Sequence, residues 1–377
     1  MDIVTILKAA VKHDASDVFI TAGRAATLKV NARLATLSKD ILTDDEASEL
    51  VLSTMNDEQK RTFERDKECN YAISTAGAGR FRASAFYQRN KIAMVLRRIK
   101  DQIPTIEELH VPEVIKELAM TKRGLIIFVG GTGSGKSTTL AAMIGYRNQN
   151  STGHILTIED PIEFDHEHAG CVVTQREVGI DTESYEIGLK NSLRQAPDVI
   201  MIGEIRAKDT MDYGITFAET GHLCLSTLHA NNANQAMDRI INFFPEERHK
   251  QLLLDLSLNL KAVVAQRLIP KKDGTGRCVA VEVLINTPLI ADLIEKGKVT
   301  EIKDLMKRSG DLGMQTFDQS IYKLYLADEI TYEEALKNAD SENEVRLMIK
   351  LGSDTGGILD ETMELKSNDD NMNDFRR

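Results

Sequence analysis

The sequence has no tryptophan, and its few cysteines, Cys69, Cys171, Cys224 and Cys278, are widely scattered. None forms a CxxC pair, so neither a zinc knuckle nor a disulfide framework is indicated, and we expect buried, reduced thiols. No apolar run approaches the roughly 20 residues that a membrane-spanning helix needs, and the N terminus lacks the apolar core of a secretory signal. These absences predict a soluble, cytoplasmic protein that is at most peripherally bound to a membrane.

Basic residues are outnumbered in this chain. The 47 lysines and arginines face 58 acidic residues, for a net charge of −11. This balance, together with the lack of basic patches interleaved with aromatic residues, disfavours nucleic acid as a partner. The 377 residues, 42% of them hydrophobic, can bury a substantial core, and at about 150 residues per domain they predict two or three domains.

The N-terminal part, 1–100, is predicted to be a small α+β domain. An amphipathic helix opens the chain, and a second helix is predicted over 57–66. Thr43 and Glu46 form a capping box that starts another helix. Three segments alternate like strands: "SDVFI", "RFRASAFYQ" and "IAMVLRRI". A fourth, "TLKVNARLATL", places four apolar side chains on one face, Leu28, Val30, Ala32 and Leu34.

The rest of the chain divides into four predicted segments. Pro104 and Pro112 mark a linker over 101–118. A core domain over 119–286 contains four apolar strands, "GLIIFVG", "HILTIED", "DVIMIGEI" and "HLCLSTLH", separated by helical segments, which is typical of a parallel sheet covered on both faces. Within it, 246–268 reads as one long amphipathic helix, and "KKDGTG" joins two strands. A helical subdomain over 287–352 and a disordered acidic tail over 353–377 follow.

The most informative stretch is "FVGGTGSGKSTT", residues 128–139, which contains G-x-x-x-x-G-K-[ST] between a predicted strand and a predicted helix. In this context the pattern forms a P-loop, whose backbone N–H groups surround phosphate oxygens. The helix that begins near Lys136 directs its positive dipole at the same anion. We expect Lys136 to reach the β- and γ-phosphates of ATP, and Ser137 to bind Mg²⁺. The predicted nucleotide-binding residues of the loop are Gly130, Gly131, Thr132, Gly133, Ser134, Gly135, Lys136, Ser137 and Thr138.

Carboxylates follow two other apolar strands, at the end where ligands bind in open α/β sheets. Glu204 comes after "VIMI" and is a candidate for Mg²⁺, directly or through a metal-bound water. "TIEDPIEF" places Glu159, Asp160 and Glu163 together, where their mutual repulsion is costly unless a cation or a catalytic water uses them. One of the three is the expected general base for the attacking water, and the residues alone do not select it.

Histidines and arginines flank the same strands. His222 precedes "LCLSTL" and His229 follows it. Their odd spacing places the two side chains on opposite faces of a strand, which disfavours a metal pair. His229 can sense a γ-phosphate, but an ordinary structural role is equally open for both. Exposed arginines are usually just solvated, although in an oligomer they can complete a neighbour's site. The arginines in question are Arg176, Arg194 and Arg206 beside the strands and Arg80, Arg82, Arg97 and Arg98 in the N-terminal part.

Four motifs in order, "GGTGSGKSTT", "TIEDPIEF", "GEIRAKDT" and "TGHLCLSTLHANNA", resemble the Walker A, Asp box, atypical Walker B and His box of the secretion-ATPase superfamily. "HDASDVFITAG" and "GMQTFDQSIYKLYLADEITYEEALKNAD" look like the type IV pilus retraction ATPases, the PilT/PilU family. The resemblance covers roughly 1–350. The chain shows neither the extra N-terminal domains nor the four-cysteine zinc module of pilus-assembly and type II secretion ATPases. The acidic tail and "IGEIRAKDTMDYGI" favour the PilU branch.

The resemblance implies a fold and a set of roles. It implies an α/β, RecA-like P-loop ATPase core with a smaller α+β, PAS-like N-terminal domain, in a homo-hexamer that holds ATP and Mg²⁺ between neighbouring subunits. It makes Glu163 the catalytic glutamate and Glu204 the Walker B carboxylate. Further catalytic or nucleotide-contacting roles, some of them in trans, are implied for His229, Arg194, Glu159, His222 and Arg176.

The implied function is mechanical. ATP hydrolysis would rotate domains, turn an inner-membrane platform protein at the pilus base and so depolymerise the pilus for twitching motility. In PilU-like members the protein assists a PilT-like paralogous ATPase. Three alternatives remain: an accessory ring that binds ATP but hydrolyses little, a pilus-assembly or type II secretion ATPase, and a nucleic-acid translocase. No motif is broken, which favours hydrolysis.

Overall fold

The computed structural model describes residues 2–30, 33–99 and 102–354. The N-terminal part contains three helices and six strands. In chain order they are α1 (Ile3–Lys12), β1 (Asp17–Thr21), β2 (Thr27–Val30), β3 (Arg33–Thr36), α2 (Asp44–Leu52), α3 (Asp57–Asp66), β4 (Glu68–Thr75), β5 (Gly79–Gln88) and β6 (Lys91–Arg98).

The strands of this part form one antiparallel sheet in the order β3-β2-β1-β6-β5-β4. Its core joins α1 and α3 to the alternating apolar face of β5, through Ile6, Leu7, Phe63, Phe81 and Ala83. The predicted capping box that starts α2 is present. The expected α+β fold of this part is confirmed, because alternation in β5 and the 3.6-residue period in α1 each leave one apolar face for the core.

The segment "TLKVNARLATL" differs from the prediction. It is not one strand with a single apolar face, because β2 and β3 pair antiparallel with Val30 opposite Arg33. Leu28 is buried, whereas Leu34 on the edge strand β3 is 57% exposed. The chain therefore reverses within the segment, and the period of two is broken at that reversal.

The remaining elements build the core and the C-terminal helices. They are α4 (Val114–Ala119), β7 (Gly124–Val129), α5 (Lys136–Asn150), β8 (Gly153–Glu159), β9 (Cys171–Glu177), α6 (Tyr185–Ser192), a 3₁₀ turn (Leu193–Gln195), β10 (Val199–Ile202), α7 (Lys208–Glu219), β11 (Leu223–Leu228), α8 (Ala233–Asn242), α9 (Glu246–Asn259), β12 (Leu260–Pro270), β13 (Arg277–Ile285), α10 (Pro288–Glu295), α11 (Val299–Lys307), a second 3₁₀ turn (Gly310–Leu312), α12 (Phe317–Leu326), α13 (Tyr332–Asn338) and α14 (Glu342–Asp354).

The core sheet has seven strands in the order β13-β12-β7-β11-β10-β8-β9. The six from β12 to β9 run parallel. All residues of β7, β10 and β11 are buried, as expected for strands covered on both faces. Parallel pairing brings the carboxyl ends of these strands to one edge of the sheet, and the candidate site lies there.

The predicted pair of strands joined by "KKDGTG" is confirmed as β12 and β13, but the sequence patterns missed most of β12 and all of β9. The predicted long helix over 246–268 is wrong in its second half, because α9 ends at Asn259 and β12 begins at Leu260. The residues after Leu260 pair with β7 and are mostly buried, so tertiary pairing outweighs the local helical pattern. β9 was also unforeseen, because it is an edge strand whose alternate side chains are exposed or half-buried.

The chain separates into two compact units. The first comprises Met1–Leu268 and Val281–Thr316, and the second comprises Ile269–Ala280 and the chain from Phe317 onward. The second unit thus combines the turn between β12 and β13 with the helices from α12 onward. The domain borders drawn at 100, 118 and 286 stay predictions.

Three further expectations concern single features. All four cysteines are unpaired, with Cys278 half-buried and the others buried. Thr105 and Glu108 also exchange capping hydrogen bonds, over a turn rather than a helix. Among the described residues no helix is both long enough and apolar enough to cross a bilayer. The predicted tail from 355 onward lies outside the described residues, so the expectation that its removal leaves folding and hydrolysis intact stays a prediction.

Candidate nucleotide-binding site

The predicted phosphate cradle lies between β7 and α5, where the sequence placed it. Gly133 and Gly135 have φ of 75° and 93°, in the left-handed region that favours glycine, and α5 begins at Lys136. The Lys136 ammonium donates to the carbonyl oxygens of Gly130 and Gly131 at 2.9 and 3.0 Å. Burial lowers the pKa of Lys136, and the nearby negative charges of Glu204 and Glu163 oppose that shift. The cradle thus places the Lys136 ammonium group at the N-terminus of α5.

The inside of the cradle fits a group that accepts hydrogen bonds. The Ser134 hydroxyl is buried and has no hydrogen-bond partner among the described residues. An unpaired buried hydroxyl costs free energy unless a ligand satisfies it. Gly130 has φ of 151°, and a Cβ there would collide with Ser134 Oγ and lie 2.6 Å from the Gln266 carbonyl oxygen. The backbone at Gly130 is therefore packed too closely for any side chain.

Gly130→Ala tests this packing. We expect the variant to lose at least tenfold in ATP affinity and to melt several degrees lower, because the clash involves the Gln266 backbone and cannot relax by a side-chain rotation. Gly145→Ala within α5 is the matched control, since a Cβ there meets nothing within 4 Å. Nucleotide titration and thermal melting of both variants give the answer. Equal affinity in both would contradict the assigned loop geometry.

A chain of ion pairs connects the strand ends beside the cradle. His229 Nε2 lies 3.2 Å from one oxygen of Glu204, and Arg206 Nε lies 2.6 Å from the other. The Arg206 guanidinium also lies 3.8 Å from Asp160. On the other side, Arg82 of β5 lies 4.0 Å from Asp160. The structure therefore brings together the carboxylates after β8 and β10 and the histidine after β11.

The three carboxylates of "TIEDPIEF" have different surroundings, and these separate their roles. Glu159 is buried, accepts hydrogen bonds from Thr157 and Gln175, and burial raises its pKa to about 7. Asp160 faces two guanidinium groups. Glu163 is exposed, and its charge acts on Lys136. Glu163 is thus the carboxylate that faces both solvent and the cradle, as a group that orients water must.

Other predicted residues lie elsewhere. His222 is at the amino end of β11, where its carbonyl accepts the N–H of Gly124, roughly 20 Å from His229 at about 3.3 Å per strand residue. Arg194 is exposed in the 3₁₀ turn at the same edge, next to the Gln195 carbonyl that contacts His154 of β8. Within one chain His222 therefore lies at the edge of the sheet opposite the cradle, and its contact with a nucleotide stays a prediction. Arg194 likewise lies at the edge opposite the cradle.

Arg176 has an intermediate position. It is the penultimate residue of β9, at the carboxyl edge, and its guanidinium donates to the Asp181 carbonyl at 2.8 Å. Among the described residues no group of three or more histidine, cysteine and acidic side chains could hold a metal ion without other ligands.

Sequence patterns missed several residues of the site. Glu177 is buried at the end of β9, and Tyr185 opens α6 with its hydroxyl near Gly203 of the β10 loop. Gln266 of β12 packs against the cradle and donates to Thr139 at 2.8 Å. Alternation in "VVTQRE" could have revealed Glu177, because Val173, Gln175 and Glu177 share one face. No local signal distinguishes Tyr185 or Gln266.

A phosphate cradle at the start of α5, with carboxylates from neighbouring strand ends facing its lysine, is the arrangement shared by RecA-like P-loop ATPases. The family follows from sequence comparison, since the model of the type II/IV secretion system proteins matches residues 1–323. The chain belongs to that family.

Individual members of the family show which branch this chain is most similar to. The type IV pilus ATPase PilU of Pseudomonas aeruginosa is 63% identical over 94% of this chain and 93% of its own length. The type IV pilus retraction ATPase PilT of the same organism is 40% identical over 90% of this chain and 98% of its own length. The crystal structure of the pilus retraction motor PilT with bound ADP has a TM-score of 0.87 at 38% identity, over 92% of this chain and all of that one.

These findings confirm the resemblance drawn from the four motifs, including the greater similarity to PilU. They also confirm the fold class, a RecA-like P-loop ATPase core with a smaller N-terminal α+β domain. The family and the ADP-bound neighbour support a nucleotide as the ligand of the cradle.

Proposed function

We propose that this chain is an ATPase motor that powers type IV pilus retraction in twitching motility. The observation that carries the proposal is the meeting of Lys136 with the charges of Glu163 and Glu204 at the carboxyl edge of the sheet. This edge can bind a triphosphate and position a water against it. The 63% identity to a type IV pilus ATPase supports the pilus as the structure on which the motor acts.

The chemistry assigns a role to each side chain. Lys136 leaves the loop carbonyls and stabilises the charge that develops on the γ-phosphate, since phosphoryl transfer is catalysed mainly by positioning and charge. Glu163 orients the attacking water and accepts its proton. Glu204 is held between His229 and Arg206, so that a change at the γ-phosphate can be transmitted to the β11 end.

Mg²⁺ fits the oxygen donors present. The Ser137 hydroxyl and the Glu204 carboxylate would hold it, and the ion would neutralise charge on the β- and γ-phosphates. Both residues lie at the carboxyl edge of the sheet, one in the first turn of α5 and the other after β10.

The assembly and its partners belong to the same proposal. We place the chain in a homo-hexamer at the cytoplasmic face of the inner membrane, acting on the pilus platform protein together with a PilT-like paralogous ATPase. His222 and Arg194 lie at the edge opposite the cradle, so they can contact nucleotide only in a neighbouring subunit. Arg176 and Glu159 remain proposed nucleotide contacts, the first from the edge strand and the second through the loop that follows β8.

Two measurements test the proposal. Purified protein should hydrolyse ATP in the presence of Mg²⁺ without stimulation by DNA. Strains lacking this protein, the paralogue or both should differ in pilus retraction, with a defect restored by the native gene. A protein that binds ATP but shows no turnover, alone or mixed with its paralogue, would favour the accessory ring. Stimulation by DNA would favour a translocase.

A further inference from the structure

The loop that carries Glu163 is held by side chains from the strands on either side of it. Glu177 is the last residue of β9 and pairs in register with Glu159, the last residue of β8. The Glu177 carboxylate accepts the N–H of Ile162 at 3.3 Å. The backbone N–H of Glu163 acts on the Glu159 carboxyl and lowers its pKa against the effect of burial. Two buried carboxyl groups therefore face the backbone of the loop at consecutive residues.

Gln175 extends the same contact. It lies two residues before Glu177, on the same face of β9. Its side-chain oxygen accepts the N–H of His166 at 2.8 Å, and its amide nitrogen donates to the Phe164 carbonyl at 2.9 Å and to Glu159 at 3.2 Å. The backbone from 162 to 166 is thus bonded at three points to the side chains of Glu177 and Gln175. Glu163 is one of the two exposed side chains of that stretch, with Asp165.

Glu177 also faces the N-terminal sheet. Arg82 Nε lies 4.0 Å from the Glu177 carboxylate, while a terminal nitrogen of the same guanidinium lies 4.0 Å from Asp160. The Glu177 side chain is only 2% exposed, so this guanidinium and that of Arg80 are the positive charges that act on it. Asp181, which follows β9, is the negative charge that opposes them. One arginine of the N-terminal sheet therefore bridges two carboxylates on either side of the loop.

We infer that Glu177 is a positioning residue for Glu163. We also infer that Arg82 couples the contact between Glu177 and the loop to the placement of the N-terminal sheet. The inference rests on the proposed function, since it assigns the means by which the catalytic loop is kept in place. A displacement of Arg82 would remove the larger of the two positive charges that act on the buried Glu177, leaving only that of Arg80. The hydrogen bond from the Ile162 N–H to Glu177 would then weaken, and Glu163 would be positioned less accurately for the reaction.

Glu177→Gln in the full-length protein is the first test. Glutamine keeps the volume and one acceptor oxygen but removes the charge that faces Arg82. We expect kcat for ATP to fall about 10- to 100-fold, with KM and ATP affinity within about twofold of the native values, because misplacement of the loop affects the reaction rather than binding. Glu177→Ala should lose more, since it removes the acceptor as well.

Asp318→Asn is the matched control. Asp318 is a buried carboxylate that accepts the N–H of Asp340 at 2.8 Å, in the second unit, so the chemical change is the same in kind. We expect its kcat to be native. A Glu177→Gln protein with native kcat and only a lower melting temperature would overturn the inference and leave Glu177 a structural residue. An inactive native protein would instead count against the proposed function.

The pH profile supplies a readout that a purely structural role would not move. Burial raises the pKa of Glu177, whereas the Ile162 N–H and then the charges of Arg82 and Arg80 lower it. Removing a positive charge favours the protonated carboxyl, so Arg82→Gln should shift the acidic limb of kcat to higher pH. The same substitution in a Glu177→Gln background should cause no such shift. Arg65→Gln, at an exposed pair with Asp66, is the control. Equal shifts in both backgrounds would refute the link.

Discussion

Replacement of Lys136 by alanine is expected to reduce ATP turnover by at least about 100-fold, the scale of removing one preorganised charge from a phosphoryl-transfer site. Two observations support this magnitude. The ammonium is held by the carbonyls of Gly130 and Gly131, so it is already in the cradle. Its charge also balances those of Glu163 and Glu204. Without it, the γ-phosphate would face two carboxylates and no lysine.

The loss should appear in steady-state turnover of purified protein, with the oligomeric state unchanged in size-exclusion chromatography. Lys296→Ala is the control, because it removes the same charge from an exposed pair with Asp292 on α10. Its turnover should be native. Turnover of the Lys136→Ala protein within a few-fold of native would refute the P-loop assignment.

Much of the fold could be predicted because local signals and tertiary environment agree. β7, β10 and β11 are continuous apolar runs in the sequence and wholly buried strands in the structure. The glycine pattern after β7 predicted the cradle for a physical reason, since Gly133 and Gly135 adopt left-handed backbone conformations. The secondary structure of such segments can be predicted because the local sequence pattern and the tertiary environment favour the same conformation.

Prediction failed where contacts between residues distant in sequence determine the local structure. The residues after Leu260 have a helical pattern, and their pairing with β7 makes them a strand. The contact of Arg82 with Asp160 joins residues far apart in the chain, so no spacing could indicate it. His222 and His229 were correctly placed on either side of a strand, but only the parallel sheet shows that one of them is at the wrong edge for the cradle.

The three carboxylates of the Asp box show the same limit at the level of single residues. Their spacing could not select a general base, because the sequence does not reveal burial. In the structure, Glu159 is enclosed and bonded to Thr157, whereas Glu163 is exposed. Desolvation raises the pKa of Glu159 to about 7, and donors from Thr157 and Gln175 already occupy its carboxyl group. Burial thus separates a positioning carboxyl from a reactive one.

Glu163→Gln should therefore reduce kcat by about 100- to 10,000-fold, the range for a lost general base, while ATP still binds. The amide keeps the shape of the side chain but cannot accept a proton. Binding should survive because the Lys136 cradle is unchanged, and the Glu159 contact to the loop uses the backbone N–H of residue 163. Single-turnover hydrolysis and equilibrium binding of ATP separate the two effects.

The control is Glu167→Gln, since Glu167 is an exposed glutamate of the same loop whose backbone carbonyl, rather than its side chain, bonds Asn148. Its turnover should be native. If Glu163→Gln retained native kcat while Glu204→Gln abolished it, the base would have to be the carboxylate after β10. In that case His229 and Arg206, which enclose Glu204 at 3.2 and 2.6 Å, would be the groups that set its readiness to accept a proton.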